Sequence, residues 1–270
     1  MSYIEIFGTL INASFGGINL SDYAFYCYDF KKPLMPQQKQ TTADIPQRPG
    51  LIQLSKKFSG YYLDLYGFIQ AASHSDLISK INALAGFLYS DTDKELILSN
   101  ENDRYWNCQY LDYEEVDQFD DYTILKLSFT CNDPLAYAVT PDTDSQTITV
   151  LNSTFNLTNS GHYYTHPTFT ITFNQAQTHV YIENQTIEDC RFDISGSFVT
   201  GDVLVVNCKT GVITLNGTEY YSGFGTGGDG TYEFIKLAFG DSANNLICVG
   251  TDDADINIDV DTEWEKTYLS

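Results

Sequence analysis

The chain has 270 residues, 14 Lys or Arg against 36 Asp or Glu, a net charge of −22, and 43% hydrophobic residues. Duplex recognition neutralises phosphates with clustered basic side chains; the only close basic pairs are Lys31–Lys32 and Lys56–Lys57, so sequence-specific nucleic-acid binding is excluded as an expectation. At about 100–200 residues per domain two domains are expected, and no run approaches the ~18 apolar residues of a membrane span, so membrane insertion is not expected either.

Met1 to Phe7 contains Glu5 and no Lys or Arg, unlike the basic and apolar opening of a secretory signal. Synthesis in a cytoplasm is the expectation. Tyr3-Ile4-Glu5-Ile6-Phe7 alternates, Tyr23 to Phe30 is aromatic-rich, and Leu51 to Leu54 leads to a turn at Ser59-Gly60 and a strand from Tyr61 to Phe68. Between them, Pro33 to Gly50 carries four prolines and no period, which predicts a long exposed loop of the kind that often carries function. Ser73-His74-Ser75-Asp76 fits a helix capping box. Leu77, Ile81, Leu84 and Leu88 then repeat on one helical face, widened by Ile78 and Ala85, which predicts a helix from about Ser75 to Tyr89 packed on a sheet. Strands resume at Glu95 to Leu98, Arg104 to Tyr113 and Tyr122 to Cys131.

The pattern stops from Asp133 to Gln146, and charge splits there: residues 1–139 hold 10 basic and 18 acidic side chains (net −8), residues 140–270 hold 4 and 18 (net −14). The reading is a first domain over residues 1–138 and a second over 139–270. The second shows eight short strands, at Thr147 to Leu151, Thr168 to Phe173, His179 to Glu183, Asp202 to Val206, Gly211 to Leu215, Phe234 to Phe239, Leu246 to Val249 and Ile256 to Val260, which suggest a β-sandwich. Abundant Tyr, Phe and β-branched residues make the whole chain mainly β.

No catalytic constellation emerges, and no cofactor is expected. Asp255, Asn257, Asp259 and Asp261 alternate along the terminal strand, where same-face neighbours lie about 6.5–7 Å apart, close to the roughly 6.5–9.5 Å carboxylate spacing of inverting glycosidases. A charged outer strand face explains them more simply. Gly223-Phe224-Gly225-Thr226-Gly227-Gly228 satisfies G-x-G-x-x-G without the strand before and helix after that a dinucleotide site needs, so it reads as a mobile sandwich loop. Asp91-Thr92-Asp93-Lys94-Glu95 lacks the glycine and distal glutamate of a calcium loop. The histidines, His74, His162, His166 and His179, read as surface residues with no zinc-binding spacing, and the six dispersed cysteines as reduced core thiols. No metal site is expected.

Asp44-Ile45-Pro46-Gln47-Arg48-Pro49-Gly50 resembles the D-I-P-G-R-D-G loop of the distal tail (Dit) proteins of long-tailed, siphovirus-type bacteriophages, departing from it at Gln47 and Pro49. The helix Leu77 to Tyr89, the strand Asp103-Arg104-Tyr105-Trp106, and Asp133-Pro134-Leu135-Ala136-Tyr137 follow in that family's order. Asn159-Ser160-Gly161 with Pro167-Thr168-Phe169-Thr170-Ile171, and Gly201-Asp202-Val203-Leu204-Val205 leading to Gly211 and Asn216-Gly217, extend the resemblance across nearly the whole chain.

The resemblance implies an N-terminal β-rich, ring-forming domain with one packed helix and a C-terminal galectin-like β-sandwich. The implied role is a structural, non-enzymatic virion protein of the tail tip: a homo-hexamer joining the tail tube to tail-tip or receptor-binding proteins, assembled in the host cytoplasm, with DNA passing through the ring; the net charge adds the expectation of an acidic lumen that would suit DNA release. Interface candidates are Asp44, Pro46, Arg48, Gly50, Arg104, Tyr105 and Trp106, since Arg, Tyr and Trp are enriched at binding hot spots. A host-surface carbohydrate-binding protein is the alternative, with Tyr220, Tyr221 and Phe224 as its ligand-facing aromatics; the His-x-Asn-x-Arg set of galectins is missing. A cell-wall hydrolase using Asp259 and Asp261 is a third reading.

Overall fold

The computed structural model describes residues 9–44, 49–119, 121–225, 233–240 and 244–269. Contacts divide the chain into two units, one up to Val139 and one from Thr140 to Tyr268. The first contains β1 (Ala13–Phe15), β2 (Ile18–Asn19), β3 (Phe25–Lys31), β4 (Gln38–Asp44), β5 (Leu51–Phe58), β6 (Tyr61–Gln70), α1 (His74–Leu88), β7 (Lys94–Leu98), β8 (Arg104–Gln118), β9 (Tyr122–Cys131) and β10 (Ala136–Ala138).

Its main sheet runs in the order β2-β1-β7-β8-β9-β6-β3, with antiparallel neighbours throughout. In β9 the alternation is complete: Thr123, Leu125, Leu127, Phe129 and Cys131 are buried and the residues between them are not. Phe129 meets Phe15 at 5.2 Å between ring centroids, and Leu63, Leu65, Leu96 and Leu98 fill the same core. Gly67 of β6 permits this packing, because a Cβ there would strike the Phe25 ring and come within 2.7 Å of the Tyr26 carbonyl.

Helix α1 begins as the sequence predicts. Ser73 Oγ accepts the Asp76 amide at 3.3 Å, while the Asp76 carboxylate accepts the Ala72 amide at 2.9 Å. The buried stripe is Leu77, Leu84 and Leu88, with Ile81 half-buried; Ile78 and Ala85 are exposed, so the apolar face is narrower than expected. Phe87 adds a stack on Tyr23 at 4.3 Å.

The expected loop from Pro33 to Gly50 is corrected. Gln38–Asp44 is a strand, paired with Leu51–Phe58 as a two-stranded ribbon that is no part of the main sheet. Both its faces are largely exposed, so no apolar alternation marked β4. Strand β8 also runs on to Gln118, beyond the expected Tyr113, because its charged end stays paired with β9.

The second unit contains β11 (Asp142–Ile148), β12 (Ser153–Thr158), β13 (Thr168–Phe173), β14 (Gln177–Asn184), β15 (Arg191–Phe198), β16 (Val203–Asn207), β17 (Val212–Leu215), β18 (Thr218–Glu219), β19 (Asn244–Gly250), β20 (Ile258–Trp264) and β21 (Thr267–Tyr268). Two sheets, β11-β20-β13-β16-β17-β18 and β12-β19-β14-β15, share one core built from Phe169, Ile171, Phe173, Val206 and Val260 on one side and Ile182, Phe192, Ile194, Phe198 and Val249 on the other. Phe173 and Phe198 stack across it at 4.4 Å.

Strands β12 and β15 were not expected, and the expected strand Phe234 to Phe239 is absent. Of that segment only Leu237 bridges, to Thr165. Buried asparagine amides satisfy its backbone instead: Asn245 accepts the Ala238 amide at 2.7 Å and donates to its carbonyl at 3.1 Å, Asn184 donates to the Lys236 carbonyl at 2.8 Å, and Asn159 to the Leu237 carbonyl at 3.3 Å. All six cysteines are buried free thiols.

Candidate functional site

Asp44 closes β4 opposite Leu51, and Gly50 immediately precedes β5 with φ +88°, a left-handed conformation that favours glycine. Pro46 and Arg48 lie outside the described residues. Asp44 and Gly50 share the ribbon's far end. Arg104, Tyr105 and Trp106 instead lie at the start of β8, where Ala136↔Trp106, Tyr137↔Tyr105 and Ala138↔Arg104 pair it with β10.

At that start an ion cluster forms. Arg104 Nε and Nη2 each donate to Asp103 at 3.1 Å, and Glu101 accepts from Lys32 Nζ at 2.6 Å while lying 3.7 Å from Arg104. The hydrogen bond from Arg104 holds the Asp103 carboxyl below its ordinary value. Tyr105 stacks on Tyr137 at 5.7 Å, and the Tyr137 hydroxyl donates to Asp133 at 2.6 Å. Trp106 is corrected: it is wholly buried, with Lys32 Nζ 5.1 Å from its ring centroid, and so is a core residue of this unit rather than an exposed anchor.

The ribbon's base borders two clefts of about 630 and 430 Å³. Lys39, Lys57, Tyr61 and Thr130 help line the first, Lys31, Met35 and Asp64 the second, and Tyr62 both. Leu34, Met35 and Tyr62 are exposed beside these clefts, and Leu51 and Leu54 are exposed further along the ribbon.

The sandwich candidates are dispersed. The Tyr220 hydroxyl donates inward to the Ser195 carbonyl at 2.9 Å, and Phe224 stacks on Phe234 at 5.0 Å; both pack against the core, and only Tyr221 is exposed. The three therefore form no shared aromatic platform. Gly223 and Gly225 are tied to β15 through Ser195 N to Gly223 O and Gly225 N to Asp193 O, both 2.9 Å, so this part of the glycine run is pinned; residues 226–232 lie outside the described residues.

Asp259 accepts Thr147 at 2.7 Å and Asn174 at 3.0 Å, which lowers its pKa, and Asp261 accepts Ser145 at 2.6 Å. These carboxylates tie strands together across the outer face.

His179 is not a surface residue, as expected, but buried. It faces the buried Asp193 at 3.1 Å, and Arg191 Nη2 donates to the same carboxylate at 2.7 Å. Nothing in the local sequence announced this group, which forms only when β14 pairs with β15, or Asn159 and Asn184, whose carbonyl partners lie 78 and 52 residues along the chain. Among the described residues no cluster of His, Cys, Asp or Glu has metal-binding geometry, and no helix is long and apolar enough to cross a membrane.

Two family models match in order along the chain: a phage tail protein RIFT-related domain over residues 18–131 and the C-terminal domain of a siphovirus-type tail component over residues 160–266. Together they define the chain as a component of a long phage tail. The distal tail protein of Bacillus phage SPP1 is 29% identical over 151 residues, 54% of this chain and 57% of that protein, so the matched stretch spans little more than half the relative's length. The crystal structure of the SPP1 Dit protein superposes with a TM-score of 0.77 at 17% identity, covering 97% of this chain and all of that one, and shows the shared mainly β fold. The chain belongs to the distal tail protein (Dit) family of siphovirus-type phages.

Proposed function

We propose that this chain is a structural, non-enzymatic hub protein of the phage tail. Copies close into a hexameric ring that joins the tail tube to the tail-tip and receptor-binding components, the first domain forming the ring and the second being a galectin-like sandwich. The observation that carries this reading is the pair of tail-component models matched in order across both units. The SPP1 Dit structure is described as a paradigm of the hub adsorption apparatus of phages infecting Gram-positive hosts, which supports the same role here. The protein would be assembled in the host cytoplasm and reside at the virion's tail tip. An acidic channel wall would repel the phosphate backbone and let DNA slide.

Light scattering on the full chain over a wide concentration range tests it. A species near six times the chain mass, alone or in equilibrium with monomer, is the expected result. A chain that stays monomeric at every concentration and binds glycans on an array would replace this reading with host-surface carbohydrate binding.

A further inference from the structure

Charge in the first unit is sorted into two places. Residues 31–58 hold six of the chain's 14 basic residues (Lys31, Lys32, Lys39, Arg48, Lys56 and Lys57) and one acid, Asp44. Residues 111–121 hold six acids and no base. In a chain of net charge −22, a basic ribbon and an acidic strand on the same unit are a polarity that its own fold does not need.

On the ribbon, Lys39 stands directly opposite Lys57 on one face, and Lys56, opposite Gln40, lies on the other. Like charges in cross-strand register are unfavourable, and none of these three exposed lysines has an ion-pair partner among the described residues. Leu51 and Leu54, 66% and 63% exposed, lie on the same strand as Lys56 and Lys57.

The acidic counterpart is the far half of β8. From Gln109 to Gln118 one edge pairs with β9, while β7 stops at Cys108 on the other, leaving that edge without a strand among the described residues. Asp112, Glu114, Glu115 and Asp117 are all exposed, interleaved with Leu111, Tyr113 and Val116, each more than half exposed. Among the described residues only Glu114 of these four has an ion-pair partner, Lys126 at 2.6 Å. The edge is also guarded against strand addition: bulges interrupt it, and the Asp112 and Asp117 carboxylates accept the amides of Tyr113 and Gln118. Side chains are what it offers.

We infer that the β4–β5 ribbon of one copy docks on the acidic outer half of β8 in the next copy, with Lys56 and Leu51, which share one face of the ribbon by register, meeting Glu115 and Tyr113, which share one face of β8. This rests on the ring reading above. A ring requires two different, mutually complementary patches on each subunit, and these two match in charge, in apolar content and in being unpartnered.

Charge exchange tests it on the full chain. K56E/K57E and E115K/D117K change exposed residues only, so circular dichroism and thermal midpoint should be unchanged. Each variant alone is expected to assemble at least about tenfold more weakly than the wild type, because like charges then meet. Mixed one to one, they are expected to regain assembly, since both alternating contacts again join opposite charges. A wild-type ring with both variants assembling normally, or with no recovery on mixing, overturns this interface and leaves the ring standing. A wild-type chain that never assembles overturns the ring and this contact together. If K56E/K57E loses only retention of a DNA oligonucleotide while assembling normally, the ribbon contacts nucleic acid and the inference is wrong.

Discussion

Burial raises the thiol pKa of Cys27 to about 12 and pushes those of Cys190, Cys208 and Cys248 up as well. An unfolded thiol ionises near ~8.5, so the unfolded state loses protons there while the native state keeps them. The stabilisation is therefore full below that value and is lost as pH rises toward the native values. The thermal midpoint should fall from about pH 8.5 upward, and a thiol reagent should reach all six cysteines only in denaturant. Trp106→Ala should cost about 3–5 kcal/mol in urea unfolding, whereas an interface anchor would lower assembly and leave stability unchanged. Asn245→Leu should cost about 1–3 kcal/mol by stranding the Ala238 amide. Trp106 shows the limit of sequence reading at this scale. Its strand was legible, but which face meets the core depends on β6, β7 and β10, brought there from elsewhere in the chain.

At the scale of the element, α1 was legible almost to the residue because its capping residue and apolar period are local. Ser73→Ala should cost about 1 kcal/mol in the same unfolding experiment. Strand β9 was legible to the residue because one of its faces is buried along its whole length. Strand β4 was not, since a ribbon exposed on both sides leaves no period to read. Strand β15 buries Phe192, Asp193 and Ile194 in succession, and the charged Asp193 is tolerated only because Arg191 and His179 hold it. The expected strand Phe234 to Phe239 failed for the converse reason: its composition suits a sheet, but asparagine side chains took the place of a neighbouring strand.

For the whole molecule, the two units each enclose their own core. We propose that residues 140–268 fold alone, which a cooperative thermal transition of that fragment would show and a featureless melt would refute. Hydrogen bonds hold Asp202 and Asp259 below their ordinary carboxylate values, and Asp253 as well despite the opposing effect of burial. Lowered values stabilise the native state above about pH 4, and that contribution disappears as pH falls through them. The midpoint should drop on acidification below about pH 4.

The residues alone settled the mainly β class, the single well-marked helix, the acidic charge and the family resemblance, because composition, short periods and ordered motifs are written locally along the chain. Folding settled which candidates reach solvent: it buried Trp106, turned Tyr220 and Phe224 inward, and paired Gln38–Asp44 with Leu51–Phe58 as a basic ribbon with no third strand among the described residues. These particular placements depend on strands and side chains that only the fold brings together, and no local pattern encodes them.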